Sequence, residues 1–80
     1  MYFAYILKSL KDNGFYYGSS SNLEKRLKAH NYGKVRSTKS RRPFKLHYKE
    51  TFPTKKLAKQ REIYFKSIDG YNYLKKENII

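Results

Sequence analysis

Apolar and polar positions along this chain switch period several times, and each switch marks an element. Tyr2-Phe3-Ala4-Tyr5-Ile6-Leu7-Lys8 is dense in β-formers and predicts a strand, with Phe3, Tyr5 and Leu7 on one face. Asp12-Asn13-Gly14 tolerates positive φ and predicts a turn, after which Phe15-Tyr16-Tyr17-Gly18 returns antiparallel. Ser21 and Glu24 have capping-box spacing and predict a helix start. Leu23 and Leu27 give that helix its core contacts, Arg26 and His30 occupy a neighbouring stripe four residues apart, and Gly33 ends it. Beyond Pro43, Phe44, Leu46 and Tyr48 alternate with Lys45, His47 and Lys49, predicting a strand with one buried and one wet face. Pro53-Thr54 predicts a second helix, with Leu57, Ala58, Arg61, Tyr64, Phe65 and Ile68 as its amphipathic stripe. Asp69-Gly70 interrupts it, and Tyr71, Leu74 and Asn78 share one side of a short last helix. The predicted order is β-β-α-β-α-α, an α/β fold with a three-stranded, largely antiparallel sheet and flanking helices.

Eighty residues make one domain, spanning 1–80. Folding at this size hides only about 60–65% of the unfolded surface, so nine Tyr and five Phe must supply much of the core. The absence of Cys excludes a disulfide frame and a thiolate zinc site. The run Tyr2 to Leu7 is too short to cross a bilayer, no signal peptide is visible, and a cytoplasmic protein is expected.

Charge narrows the partner class. Nineteen Lys and Arg against six Asp and Glu leave +13, and such self-repulsion is usually tolerated for the sake of a polyanion. The stretch Lys34 to Arg42 carries five basic residues (Lys34, Arg36, Lys39, Arg41 and Arg42) and Val35 as its only apolar residue. It reads as a mobile basic loop that tracks nucleic-acid phosphates. An anionic membrane is the poorer partner, because no basic helix here has the wide apolar face that surface binding needs.

Phosphodiester cleavage needs an aimed and deprotonated water, stabilisation of transition-state charge, and a neutralised leaving oxygen. A divalent cation can serve the last two and is usually held by carboxylate oxygen. Of the six acids, Asp12 lies in a turn, Glu24 in the predicted cap, and Glu50, Asp69 and Glu77 near element ends. Glu62 alone lies inside the second helix and is the best metal-ligand candidate. One carboxylate fits Mg²⁺ (or Mn²⁺), which keeps water and substrate phosphate in most of its sites.

Phe3-Ala4-Tyr5, Tyr16-Tyr17-Gly18, the segment Ser21 to His30 with its Arg26 and His30, and Ala58-Lys59-Gln60-Arg61-Glu62 together resemble the GIY-YIG endonuclease domain family. The similarity covers nearly the whole chain. It is greatest to small stand-alone members related to the nuclease half of a bacterial excision-repair subunit. Phe3-Ala4 stands where the family has Gly-Ile, a change expected to alter packing while the tyrosine survives. The resemblance implies a metal-dependent hydrolase of DNA phosphodiesters, weakly sequence-specific, with a role in DNA repair or recombination. It implies that Tyr5 orients or deprotonates the attacking water and Tyr16 supports it. Arg26 would grip the scissile phosphate, His30 would assist proton transfer or contact phosphate, and Glu62 would bind the cation. Gly18 would permit a close approach of backbone, and Asn72 and Asn78 are both candidates for a late asparagine of the family.

Taken singly, each of these residues reads more simply as structure. Tyr5 and Tyr16 are ordinary strand aromatics, Arg26 a solvated charge, His30 a packing residue, and Glu62 an ion-pair partner for Lys66 four residues on. Arg61 falls within the apolar stripe and is expected to be structural, its stem snorkelling; His47 is expected to be uninvolved. Only the joint spacing favours chemistry. Two rival readings are a catalytically inactive nucleic-acid-binding module of the same fold and a small RNA-binding or ribosome-associated protein.

Overall fold

The structure, a computed structural model, describes residues 1–80. Strands β1 (Tyr2–Ser9), β2 (Phe15–Ser20) and β3 (Phe44–Phe52) form one sheet of order β2-β1-β3. Both pairings are antiparallel, with Tyr5 opposite Gly18 on one side and opposite Lys49 on the other. Helices α1 (Leu23–Asn31), α2 (Lys55–Phe65) and α3 (Ile68–Lys76) complete the predicted order. No helix is long and apolar enough to cross a membrane.

The central strand is buried on both faces. Ala4 and Ile6 pack with Phe65 of α2 and Leu74 of α3. Tyr5 and Leu7 pack on the other face with Phe44 and, from α1, Leu23 and Leu27. A sheet with helices on both faces wants a near-continuous apolar central strand, and Ala4 to Leu7 supplies it.

The alternation of β3 is broken by a bulge. Ile6 pairs with Tyr48 but Leu7 pairs with Leu46, so His47 is the extra residue. Phe44 therefore packs on the Tyr5 face while Tyr48 joins the Ile6 face, and Leu46 is left 39% exposed. His47 is not on a wet face. It is half-buried, its ring lies 4.9 Å from that of Phe15, and its Nε2 is bonded to the Ile79 carbonyl.

Helix ends also differ from the predicted ones. The N-cap of α1 is Asn22, whose Oδ1 accepts from Lys25 N at 3.0 Å; Glu24 is free of the cap and pairs with Lys28 at 3.4 Å. Asn and Ser cap about equally well, and here Ser20 accepts from Asn22 N at 3.1 Å, fixing the turn one residue later. At the other end Gly33 has φ +76°, with Gly33 N bonded to His30 O and Lys34 N to Ala29 O, a Schellman closure. Thr54 caps α2, accepting from Leu57 N at 3.2 Å. Leu57 and Ile68 of the predicted stripe are exposed, because the buried face of α2 is Ala58, Glu62 and Phe65.

The break between α2 and α3 falls at Lys66–Ser67 rather than at Asp69-Gly70, since the Ser67 side chain accepts from Gly70 N and starts a new helix. Gly70 lies inside that first turn, where a Cβ would overlap the Tyr64 carbonyl. The buried face of α3 is Gly70 and Leu74; Tyr71 and Asn78 are exposed. Arg61 stacks its guanidinium 4.8 to 5.1 Å from the ring centres of Tyr64, Phe65 and Tyr73 and pairs with Glu50 at 2.8 Å, joining α2, α3 and β3.

The segment 34–42 is tied down rather than free. Thr38 is fully buried, Lys39–Arg41 forms a 3₁₀ turn, and Ser9 Oγ donates to Arg41 O at 2.6 Å. Arg41 pairs with Asp12 at 2.8 Å, and that guanidinium together with the Gly14 N–H holds the Asp12 carboxyl at about 2.

Candidate active site

The two faces of the sheet meet at its β2 edge, and the cleft there is built from both. Successive strand residues point to opposite faces, so Gly18 lies over the α1 side while Ser19 lies over the α2 side. Gly18 has no side chain, and the Tyr5 ring occupies that space; a Cβ on Gly18 would overlap the Tyr5 hydroxyl and lie 3.0 Å from its Cε2. Ser19 donates to Glu62 Oε1 at 2.7 Å, tying the carboxylate on α2 to the same edge. A cleft of about 460 Å³ results, lined by Tyr5, Tyr16, Gly18, Ser19, Arg26, Lys55, Lys59 and Glu62.

Behind the cleft lies a buried relay. Tyr5 is 1% exposed and His30 0%. The Tyr5 hydroxyl is 3.2 Å from His30 Nε2, and His30 Nδ1 is 2.8 Å from Thr38 Oγ1. Thr38 has one hydroxyl hydrogen and gives it to the Val35 carbonyl at 3.3 Å. Its oxygen therefore accepts from the imidazole, which places the hydrogen on Nδ1 and leaves the Nε2 lone pair for the Tyr5 phenol. Burial, with the Arg26 charge second, lowers the His30 pKa to about 4, so the ring is neutral at pH 7 and its Nε2 lone pair is open to the Tyr5 hydroxyl. The Tyr16 ring stands edge-on to the imidazole, centroids 4.9 Å apart.

The Tyr5 pKa is raised, chiefly by burial, while contact with Arg26 works against that rise. Arg26 lies beside both phenols, and hydrogen bonding to Tyr5 is the chief influence holding its own pKa up. For Glu62 burial pushes upward, but Lys66, Ser19 and Lys59 together outweigh it and hold the carboxyl below its ordinary range. Lys66 Nζ is 2.7 Å from Oε2, and Lys59 Nζ lies 3.3 and 3.2 Å from the two oxygens.

Tyr5, Tyr16, Arg26 and Glu62 thus open onto one cleft, and His30 stands directly behind it. Full burial of His30 leaves it no path to a phosphate. None of Lys34, Arg36, Lys39, Arg41 and Arg42 lines the cleft, nor does Asn72 or Asn78. Arg41 is held by Asp12, and Arg42 donates to the Lys39 carbonyl at 2.9 Å. The basic residues that do line it with Arg26 are Lys55 and Lys59, which sequence reasoning missed. Their signal was present: Lys55, Lys59 and Glu62 recur at i, i+4 and i+7, one face of a helix. Thr38 and Ser19 carried no such signal.

Glu62 suits a hydrated divalent cation. It is ionised, it borders the cleft, and its oxygens are the hard donors that Mg²⁺ and Mn²⁺ take. No cluster of three or more acidic or imidazole ligands exists, so water and substrate oxygen would fill the remaining positions.

Comparison with known proteins agrees with this architecture. The model of the GIY-YIG catalytic domain matches residues 1–77. A UPF0213 protein of Bacillus licheniformis is 47% identical over 72 residues, which is 89% of this chain and 73% of that protein. A UPF0213 protein of Staphylococcus haemolyticus is 41% identical over 75 residues, covering 92% and 90%. The solution NMR structure of a UPF0213 protein from Bacillus halodurans is similar with a TM-score of 0.53 at 32% identity, covering 95% of this chain and 84% of that one.

Proposed function

The chain belongs to the GIY-YIG family, and from that premise we propose that it is an endonuclease that hydrolyses DNA phosphodiester bonds with the help of a divalent cation. The observation that carries this reading is the convergence of the Tyr5 phenol, the Arg26 guanidinium and the Glu62 carboxylate on one cleft.

Arg26 binds the scissile phosphate, where its planar fork matches two oxygens. Lys55 and Lys59 add positive charge on the opposite wall and draw the polyanion in. Tyr5 accepts a proton from the attacking water while passing its own to the Nε2 lone pair of His30. This coupled transfer avoids a free phenolate, which burial of the phenol disfavours. Thr38 fixes the tautomer that makes the transfer possible, and the burial that keeps His30 neutral returns the proton quickly. Tyr16 supports the water from the neighbouring strand. Glu62 would hold Mg²⁺ or Mn²⁺, which when bound supplies neutralising charge at the phosphate and the leaving oxygen.

Phosphate contacts position a strand without reading its bases. Weak sequence preference and steep salt dependence follow for a cleft that offers cations and few base-reading groups. Repair or recombination, in the cytoplasm, is the setting that suits such a nuclease. The test is incubation of labelled single-stranded, duplex, flap and branched DNA with the wild type, Glu62→Ala and Arg26→Ala in Mg²⁺ or Mn²⁺. The wild type is expected to nick at least one substrate, and both variants to lose at least about a hundredfold in rate, the scale of losing one transition-state donor. Binding without nicking of any substrate would refute the enzymatic reading in favour of an inactive binding module, and tighter binding to RNA than to DNA would redirect it.

A further inference from the structure

Glu62 is already occupied. Its two oxygens receive Ser19, Lys66 and Lys59, and a cation must displace one of these donors to reach it. The two lysines are not equivalent. Lys66 makes the shorter bond, 2.7 Å, and does not line the cleft. Both side chains stay about half exposed, but Lys59 makes the longer ones and lines the cleft beside Lys55 and across from Arg26. Its flexible stem can therefore swing toward a phosphate while Lys66 stays in place.

We propose that Lys59 is a positioning residue that exchanges partners, holding Glu62 in the free protein and a nucleic-acid phosphate in the complex, so that divalent cation and nucleic acid bind cooperatively. The proposal rests on the nuclease reading above and adds to it the identity of the group that couples the two ligands. In the free protein a divalent ion at Glu62 meets two ammonium groups, and like charge at this range is repulsive. A phosphate in the cleft offers Lys59 an alternative anion and frees a carboxylate oxygen. Linkage is reciprocal: if nucleic acid tightens the cation, the cation tightens nucleic acid by the same factor.

The experiment reads Mn²⁺ binding directly, from the electron paramagnetic resonance signal of free aqueous Mn²⁺. It compares wild type, Lys59→Met, Lys59→Arg and Glu62→Gln, each alone and with a short DNA duplex on a Tyr5→Phe background that silences cleavage. Mn²⁺ bound by the duplex itself is measured separately and subtracted. Lys59→Met is expected to bind Mn²⁺ about two- to fivefold more tightly than wild type without DNA, the worth of one exposed ion pair. It is also expected to lose most of the tightening that DNA confers on the wild type. Lys59→Arg should keep the wild-type pattern, and Glu62→Gln should abolish the specific site. Equal Mn²⁺ affinity for wild type and Lys59→Met, or no tightening by DNA in the wild type, overturns the exchange. If, with that result, the protein with Tyr5 intact still nicks DNA in Mn²⁺, the exchange alone fails. If Glu62→Gln binds Mn²⁺ like the wild type, the assignment of Glu62 as metal ligand fails as well.

Discussion

Gly18→Ala tests how the Tyr5 phenol is held. The added Cβ would overlap the Tyr5 hydroxyl and sit 3.0 Å from Cε2, whereas carbon atoms rest about 3.5–4.0 Å apart. The ring must retreat by about 1 Å to restore that spacing. It has little room to do so, because Tyr5 is 1% exposed and packed with Leu7, Phe44 and α1. Its bond to His30 is already 3.2 Å long and would break. Overpacking of this kind costs about 1–3 kcal/mol, and relief of the strand glycine returns about 0.5–1 kcal/mol. A net loss of about 1–2 kcal/mol is expected, or roughly 5–15 °C in melting temperature for a domain of this size. A displacement of about 1 Å at the reacting group is expected to lower cleavage about a hundredfold. Thermal melts and initial nicking rates, taken on the same preparation well below the melting temperature, separate the two effects. A Gly18→Ala protein with wild-type stability and rate would refute the claim that this glycine makes the slot for Tyr5.

Three other outcomes follow from the same geometry. Thr38→Val leaves the His30 Nδ1–H without an acceptor and should destabilise by about 1–3 kcal/mol in urea titrations, while slowing nicking through the altered tautomer. The folded His30 pKa of about 4 lies below the ordinary 6.5, so the unfolded chain binds more protons between those values. Its contribution is complete above pH 6.5 and is lost as pH falls toward 4; urea midpoints measured from pH 6.5 down to pH 5 should fall, and His30→Gln should flatten that fall. Arg61→Met removes the Glu50 pair and the contacts with three rings, so it should lower stability by about 1–3 kcal/mol and leave nicking unchanged at temperatures where the variant is folded.

Most of the fold was legible because the pattern and the packing agreed. The apolar run Tyr2 to Leu7, the Asn13-Gly14 turn, the Leu23/Leu27 pair and the Gly33 stop all serve the elements they predict. The disagreements have local causes. At His47 a bulge exchanges the faces of β3, and nothing in Phe44 to Tyr48 distinguishes a bulged strand from a regular one. At Asn22 two neighbouring residues could cap α1, and the hydrogen bond from Asn22 N to Ser20 decides between them. Lys34 to Arg42 looked free because it is polar, yet Thr38 and Arg41 anchor it through His30 and Asp12, partners distant in sequence. Within the cleft, the residues gathered by motif spacing came together. Ser19, which holds Glu62 from β2, became visible only once β2 and α2 were placed against each other, whereas Lys59 shares a helix face with Glu62 and was legible from its spacing.

The central claim is that one cleft makes Tyr5 and Glu62 parts of a single chemical unit. A double-mutant cycle measures this directly, using nicking rates of the wild type, Tyr5→Phe, Glu62→Gln and the double variant in saturating Mn²⁺. Groups that act together give strongly non-additive losses, so the double variant should be little slower than the slower single variant. Losses that multiply, or single variants that cut at the wild-type rate, would contradict the account.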